Sequence, residues 1–284
     1  MISRSPKVKV GGKLPSVSRI AVAAILAVFS SFFAVPMLWL LLATTKTYFQ
    51  LQTTFPLSVG SWDSLVANWN QLIAFENGAF IGWLGNSALY SGGGLVLNLI
   101  VSIPAGYALA LTRFRLRRPL LILTLVAMMM PSTALVLPIF LELSSLGLIG
   151  NALAVILPFA FFPFGVYLTY IHFATGMPRE LLDAARLDGC SGLQVFAWIA
   201  VPLALPIIGL VGFFGFVQSW TNYFLPFVVL PSSSGYPIQV GLSLVGRSAL
   251  PLATVITTIP IVVLFLGFQR YVSSGKTAGA LAGA

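Results

Sequence analysis

Six long apolar stretches alternate with short polar segments along the chain. Each stretch can supply the roughly 20 apolar residues that an α-helix needs to cross the ~30 Å hydrocarbon core of a bilayer. The stretches are continuously apolar, whereas strands of a membrane barrel alternate apolar and polar residues over about 10 positions. The pattern therefore predicts an all-α, polytopic membrane protein with six transmembrane helices, near residues 20–44, 84–111, 119–141, 150–171, 199–226 and 249–268.

Composition supports the same class of protein. Of the 284 residues, 58% are hydrophobic and only 7% are charged, and the mean hydropathy is +0.99. Such a chain is too apolar for a water-soluble fold of this length. We predict an N-terminal tail over residues 1–18, one six-helix domain over 19–270, and a C-terminal tail over 271–284.

The basic residues predict the orientation of the chain in the membrane. Thirteen of the 15 Lys and Arg residues lie in segments 4–19, 113–118, 179–186 and 270–276. Lys and Arg beside transmembrane helices are retained on the cytoplasmic side, so both termini are predicted to be cytoplasmic. The formal net charge of +9 thus reflects orientation among membrane lipids and does not indicate a nucleic-acid surface.

The chain carries little of the chemistry that an enzyme or an ion-coupled carrier requires. Proton-coupled carriers place ionisable residues inside their spans, and here the predicted spans are nearly free of them. One His, one Cys and six acidic residues provide neither a metal site nor a hydrolytic base. The sequence also lacks the phosphate-binding GxxxxGK[ST] motif. We predict no catalytic residue, no metal and no cofactor in this chain.

Uncharged polar residues inside the spans are candidates for a translocation path. They are Asn98 in the second span and Gln218, Thr221 and Asn222 in the fifth. Such side chains line water-filled cavities in membrane proteins, or they form hydrogen bonds between packed helices. Both interpretations are open at this point.

Two further features lie in segments predicted to face the outside. Trp62, Trp69 and Trp83 are amphipathic side chains that suit the membrane interface, and we predict an anchoring role for them. The loop PSSSGYP at 231–237 is rich in turn-forming residues and is predicted to protrude between the fifth and sixth spans.

A short charged segment, residues 178–192, interrupts the apolar sequence. Glu180, Asp183 and Asp188 are half of the six acidic residues in the chain. Pro178 suits the first position of a helix, acids suit its first turn, and Gly189 is placed to end it.

A second short helix is predicted after that glycine. Ser191 and Gln194 form a capping-box pattern, and the helix is expected to run towards a kink at Pro202. Ala184 and Ala185 give the first helix a flat patch beside Arg186, which suits docking on another protein. A solvated loop helix is the alternative.

The spacing of this segment resembles a known signature. Asp183-Ala-Ala, three residues, Gly189, nine residues and then Ile-x-Val-Pro202 is similar to the EAA motif of permease subunits in binding-protein-dependent ABC importers. The stretches WLGNS at 83–87, GYALALTRF at 106–114 and SWTNYFLPFVV at 219–229 resemble the carbohydrate, MalG-like branch of that family. Asp183 replaces the usual Glu, Val201 replaces the usual Leu, and the tail departs from its relatives after Gly279.

The resemblance implies a type I ABC importer permease fold and a set of partners. These are a second homologous permease subunit, two cytoplasmic ATPase subunits that bind ATP and Mg, and an extracytoplasmic solute-binding protein. It implies that the charged segment is the coupling helix, with ATPase contacts at Glu180, Asp183, Ala184, Ala185, Arg186, Asp188, Gly189 and Pro202. It also implies that the binding protein contacts Ser233, Ser234, Gly235 and Tyr236.

The predicted function is ATP-driven import of a sugar or a related polyhydroxylated solute, with ATP hydrolysis in the partner subunits. Two alternatives remain from the sequence. One is an ABC importer permease for another small polar solute such as glycerol phosphate, and the other is a facilitator that works without ATP.

Overall fold

The computed structural model describes residues 16–281, without the side chains of residues 16–18, Arg179, Arg186 and 270–281. Over this range the regular structure is entirely helical. The prediction of an all-α protein is confirmed. The chain divides into two units, residues 1–68 and 69–284.

The first unit contains one long apolar helix and a folded loop. Helix α1, Ser16–Ala43, begins close to the predicted boundary at residue 19, and residues 1–15 lie outside the described part of the chain. Over an 18-residue window of its candidate span, Arg19–Ala43, the mean hydropathy is 2.3 and no residue is buried within this chain, whereas Ala43 at the end of the span is buried. An unburied apolar helix of this kind is suited to a lipid environment or to a neighbouring subunit.

A buried lysine holds the loop after α1 together. Lys46 is 2% exposed, and its Nζ donates hydrogen bonds to the carbonyl oxygens of Phe55 (2.9 Å) and Pro56 (3.1 Å). The Asn68 amide donates to the carbonyls of Thr44 and Lys46, both at 3.0 Å. These bonds fix a loop that contains helix α2, Tyr48–Thr53, and leads into helix α3, Trp62–Ala74.

Helix α4, Ala79–Leu111, is the centre of the second unit. It packs most extensively against α8, Pro163–Gly176, and α12, Leu205–Trp220. At Gly106 a Cβ atom would lie 2.8 Å from the backbone nitrogen of Tyr170 in α8. A glycine here therefore lets the two helices approach closely. The other helices are α5 Arg117–Met129, α6 Val136–Ser145, α7 Ala152–Ile156, α9 Arg179–Leu187, α10 Gly192–Gln194, α11 Val201–Leu203, α13 Phe224–Val229, α14 Ile238–Gly241 and α15 Leu250–Leu281.

The third predicted span, 119–141, is not one straight helix. Two helical pieces, Arg117–Met129 and Ser132–Ser145, meet at an angle of 104°. Pro131 explains the break, because a residue before proline avoids the helical conformation and Met130 is extended, with φ −74° and ψ 128°. The sequence predicted one span here, and the structure shows a sharply bent pair.

The fifth predicted span, 199–226, is also broken. Gly192–Leu203 and Leu205–Trp220 meet at 78°, and the helix stops again before α13 begins at Phe224. The predicted kink at Pro202 is misplaced, because Pro202 lies in the first turn of α11 and the break is at Ala204. Pro206 accounts for that position, since its ring cannot continue a helix past the carbonyl of residue 202.

In the described range, four helices are long and apolar enough to span a membrane, and the number is six if each bent pair counts as one span. The fourth of the predicted spans corresponds to Ala152–Gly176 and the sixth to Leu250–Gln269. Residues 271–281 of the predicted C-terminal tail continue the sixth helix, because α15 extends to Leu281, and residues 282–284 lie outside the described part of the chain.

Candidate functional site

Helix α9 of the charged segment has one buried face and one exposed face. Leu182 is 3% exposed and Ala185 is 7% exposed. The predicted flat patch of Ala184 and Ala185 is therefore wrong, because Ala185 packs into the protein and is not available for the predicted ATPase contact. The acids Glu180, Asp183 and Asp188 are exposed, as is Ala184. Two leucines share the outer side, and Leu187 is 89% exposed. The outward face of the helix thus carries acidic residues, one alanine and two leucines, and the opposite face packs into the protein through Leu182 and Ala185. Arg186 belongs to α9 by its backbone, and its side chain lies outside the described atoms.

Gly189 ends α9 as predicted. Its φ of +85° lies in the left-handed region that favours glycine. The Cys190 amide then donates to the Ala185 carbonyl at 3.0 Å, which is the long backbone bond of a Schellman helix end. A Cβ at residue 189 would meet no atom within 4 Å. The glycine is therefore required by backbone conformation and not by crowding.

The second short helix starts with the predicted capping box. The Ser191 amide donates to the Gln194 side-chain oxygen at 2.8 Å, and the Gln194 amide donates to Ser191 Oγ at 3.4 Å. The chain continues as a π-helix over Val195–Ala200 and then as α11. The segment 178–192 is consequently one helix of nine residues, a tight turn, and the start of another helix.

The buried face of α9 belongs to a hydrophobic cluster shared by several helices, which we call the coupling cluster. Its buried members are Ile103, Ala110, Phe162, Phe173, Met177, Leu182, Ala185, Val195, Ala200, Ala204 and Val211. Tyr107 of α4 packs against this cluster. The centroid of its ring lies 5.3 Å from the ring centroid of Phe173 and 4.9 Å from that of Phe196. The cluster therefore joins the buried face of α9 to α4, α8 and α12 within one close-packed interior.

A cleft of about 540 Å³ lies beside α9. It is bounded by the last turn of α4, the loop that follows it, and α9 itself. Arg113 and Arg117 are on one wall and Asp183 is on another. The Arg117 guanidinium donates to the Ala110 carbonyl at 3.2 Å, which places a cation at the negative end of α4. The cleft thus carries both signs of charge next to the outward face of α9.

The loop at 231–237, here called the serine loop, is hydrogen-bonded to the N-terminal part of α4. Four successive carbonyl oxygens of the loop accept hydrogen bonds from α4 side chains. Trp83 Nε1 donates to Ser233 at 2.8 Å, and Tyr90 OH donates to Gly235 at 2.8 Å. The Asn86 amide donates to Ser234 at 2.8 Å and to Tyr236 at 3.0 Å. The next amide, that of Ile238, donates to Ser87 Oγ at 2.7 Å.

Sequence reasoning missed the role of these α4 residues. Trp83 was predicted to anchor the membrane interface, but it is fully buried, because its indole packs inside the chain and bonds to the serine loop. Trp62 and Trp69 are 75% and 47% exposed. The signal was present, since 83, 86, 87 and 90 follow the i, i+3, i+4, i+7 spacing of a single helix face.

Within the serine loop, the candidate contact residues differ in exposure. Ser234 is exposed, and its hydroxyl lies 2.8 Å from that of Ser232. Ser233 and Gly235 are half-buried. Tyr236 is also half-buried, because it packs on the hydrophobic cluster that includes Tyr90. The exposed residues of the loop are therefore Pro231, Ser232 and Ser234.

The translocation-path candidates occupy two environments. Gln218 and Thr221 are exposed, and the Thr221 hydroxyl donates back to Val217 at 2.8 Å. Asn222 is half-buried and accepts from the Leu225 amide at 3.2 Å, so it helps to start α13.

Asn98 is only 2% exposed. It lies against Gly215 of α12, where a Cβ would come 2.7 Å from the Asn98 amide nitrogen. The Ser102 hydroxyl donates to its side-chain oxygen at 3.4 Å. This environment is that of a packing residue between helices.

Comparison with known proteins identifies the kind of subunit that carries these two sites. Residues 102–277 match the family described as the binding-protein-dependent transport system inner membrane component. The chain belongs to this family. The matched range contains both the charged segment and the serine loop. The permease is accordingly a multi-pass protein of the cytoplasmic membrane and a subunit of a transport complex.

Relatives match the permease over nearly its whole length. The arabinooligosaccharides transport system permease protein AraQ of Halalkalibacterium halodurans is 34% identical over 262 residues, which cover 90% of this chain and 94% of the relative. AraQ of Bacillus subtilis is 32% identical and covers 94% of this chain and 97% of itself. The lactose transport system permease protein LacG of Rhizobium radiobacter is 28% identical, with coverage of 93% and 95%.

A solved structure has the same fold. A chain of a bacterial ABC transporter involved in the import of the acidic polysaccharide alginate aligns with a TM-score of 0.78 at 22% identity, covering 90% of the permease and 96% of that chain. The predicted ABC importer permease fold is confirmed by this similarity.

Proposed function

We propose that the permease conducts a sugar, in particular an oligosaccharide, through an ATP-driven importer. The proposal of a sugar is supported by the relatives, two of which are named for arabinooligosaccharide transport and align over 90% or more of this chain. The exposed uncharged polar groups of Gln218 and Thr221 suit a polyhydroxylated solute, which needs hydrogen-bond partners and no counter-ion.

The two-faced α9 is the observation that carries the coupling mechanism. An ATPase subunit docks on the outward face, with Glu180, Asp183, Ala184 and Asp188 at the contact. Closure of the ATPase pair on ATP moves α9, and the coupling cluster carries that motion to α4, α8 and α12. Nucleotide drives the change because it binds one conformation of the complex better than the other.

The orientation of the subunit follows from the separation of its two sites. Trp83 and Tyr107 are 24 positions apart on α4, which corresponds to about 36 Å along a helix. This distance exceeds the ~30 Å hydrocarbon core, so α9 and the serine loop lie on opposite sides of the membrane. The four arginines at 113–118 support a cytoplasmic location for α9, and we infer that both termini lie on that side as well.

The complete importer consists of this permease, a second homologous permease subunit, two ATPase subunits and an extracytoplasmic solute-binding protein. ATP and Mg bind to the ATPase subunits, and this chain is non-catalytic. The serine loop faces the binding protein and contacts it through Ser233, Ser234, Gly235 and Tyr236.

The test begins with purification of the tagged permease from its native membrane in mild detergent. Mass spectrometry of the co-purified chains should find a second permease and an ATPase. The complex, reconstituted into proteoliposomes with its binding protein, should take up a labelled arabinooligosaccharide only with internal ATP, and glycerol phosphate should not compete. Competition by glycerol phosphate would refute the sugar assignment, and uptake by this chain alone without ATP would refute the importer.

A further inference from the structure

The regular structure within the serine loop is one turn of 3-10 helix, Ser233–Gly235. Its shape depends on the side chains of Trp83, Asn86, Ser87 and Tyr90, which we call the α4 stripe. Each of the four carbonyls from residue 233 to residue 236 has a donor in this stripe. Four carbonyls of the loop backbone are thus bonded to a helix about 150 residues away in sequence, in addition to the local bonds from the Gly235 and Tyr236 amides to the Ser232 and Ser233 carbonyls.

We propose that the α4 stripe consists of positioning residues, which hold the serine loop in the shape that the solute-binding protein meets. This inference rests on the proposed function. The stripe binds the carbonyl groups of residues 233–236 and leaves the Ser232 and Ser234 side chains exposed, with their hydroxyls 2.8 Å apart. None of the stripe residues needs to touch the partner, because their role is to order the loop beforehand.

Prior ordering of the loop matters for affinity. A flexible loop loses conformational entropy when a partner binds, whereas a loop that is already ordered does not. Removing a bond of the stripe therefore weakens docking of the binding protein without changing any surface atom of the loop. The expected loss is about three- to tenfold for one net hydrogen bond.

The stripe also connects the loop to the coupling cluster through a single element. Tyr90, the last stripe residue, and Tyr107, in the coupling cluster, lie 17 positions apart on the uninterrupted helix α4. This is about 26 Å along the helix axis. A docked binding protein consequently acts on the same helix that α9 acts on, at its opposite end.

Two variants test the stripe with little change in shape. Asn86→Leu removes both amide donors and keeps a side chain of similar size, and Tyr90→Phe removes one hydroxyl. Leu89→Ala is the matched control, because Leu89 is on the same helix turn and is 56% exposed. All are studied in the purified complex in nanodiscs.

Hydrogen exchange of residues 231–241 measures the ordering of the loop directly. Both stripe variants should speed exchange there by about three- to tenfold per lost bond, with Asn86→Leu the larger, while Leu89→Ala should leave it unchanged. Exchange that is unaltered in both stripe variants would overturn the proposal, because the loop would then be held by something else.

The expected weakening of docking is measured by stimulation of ATP hydrolysis with the binding protein loaded with an arabinooligosaccharide. The concentration that gives half-maximal stimulation should rise about three- to tenfold in both variants, with basal and maximal rates unchanged. A faster-exchanging loop with an unaltered half-maximal concentration would overturn the positioning role. If the unmodified complex is not stimulated either, the proposed function itself fails, and that outcome is recognised because it does not depend on the variants.

Discussion

Replacement of Leu182 by Ala tests whether α9 is anchored as the structure shows. Leu182 is 3% exposed and belongs to the coupling cluster, and Ala185 is the second buried side chain among those that the structure describes for α9. A nine-residue helix is too short to be stable in water by itself. Its position therefore depends on these two residues, of which Leu182 is the larger.

The magnitude follows from the loss of a buried leucine side chain. A fully buried Leu→Ala change costs about 2–5 kcal/mol in a protein core. Because tenfold corresponds to about 1.4 kcal/mol, even the lower limit raises the fraction of detached α9 by roughly 30-fold. We expect the cost to fall on local detachment of α9, because Leu182 is the larger of the two buried side chains described for this helix.

The assay compares exchange and coupling in the reconstituted complex. Amide exchange over residues 179–190 should accelerate by about 30-fold or more in Leu182→Ala, including the Cys190 amide that bonds to Ala185. ATP hydrolysis should continue while sugar uptake per ATP falls. The control is Leu187→Ala, the same change on the same helix at a side chain that is 89% exposed.

Comparison of Leu182→Ala with Leu187→Ala should distinguish the role of the buried face of α9 from that of its exposed face. Leu187→Ala should leave exchange over 179–190 unchanged and can affect only contact with the ATPase. The reasoning is refuted if Leu182→Ala leaves exchange and uptake per ATP at the values of the unmodified complex, since α9 would then not depend on the coupling cluster.

Three other changes probe the end of α9, the packing of α4 and the solute path. Gly189→Asp adds a charge to the docking surface, whereas Gly189→Asn is neutral and equally able to adopt a positive φ; sugar uptake per ATP should fall much further in the Asp variant, and equal values would argue against a docking role. Gly106→Val should lower the melting temperature of the purified complex by several degrees, because its Cβ would lie 2.8 Å from the backbone nitrogen of Tyr170. Overpacking of this kind typically costs about 1–3 kcal/mol. An unchanged melting temperature would mean that α4 and α8 can move apart at no cost in stability. Gln218→Leu should raise the KM for oligosaccharide uptake with basal ATPase intact, because an exposed hydrogen-bonding group is lost; an unchanged KM would remove Gln218 from the path.

Much of the charged segment could be predicted from local sequence because its structure is determined locally. The glycine at a positive φ and the Ser191–Gln194 capping box each involve residues only a few positions apart. The same holds for the apolar stretches, whose lengths set the helices. The third predicted span is an exception, since the sequence predicted one helix there and the structure shows a turn of 104° between Met129 and Ser132.

The serine loop could not be predicted in the same way. Its shape depends on hydrogen bonds between residues about 150 positions apart, and a single sequence does not show such pairs. Trp83 was assigned to the membrane interface because tryptophan is frequent there. The helix spacing of Trp83, Asn86, Ser87 and Tyr90 indicates a shared face, but only the fold shows what that face contacts.

Photocrosslinking from Ala184 tests most directly whether α9 is the contact with the ATPase. Ala184 is exposed on α9, so Ala184→Cys, in a Cys190→Ser background, can carry a photoreactive maleimide. Leu89→Cys, exposed on α4, is the control. The account predicts that position 184 crosslinks to an ATPase subunit, with a yield that changes on ATP binding, and that position 89 does not. Crosslinking of both positions to lipid alone, in a complex that still imports sugar with ATP, would contradict it.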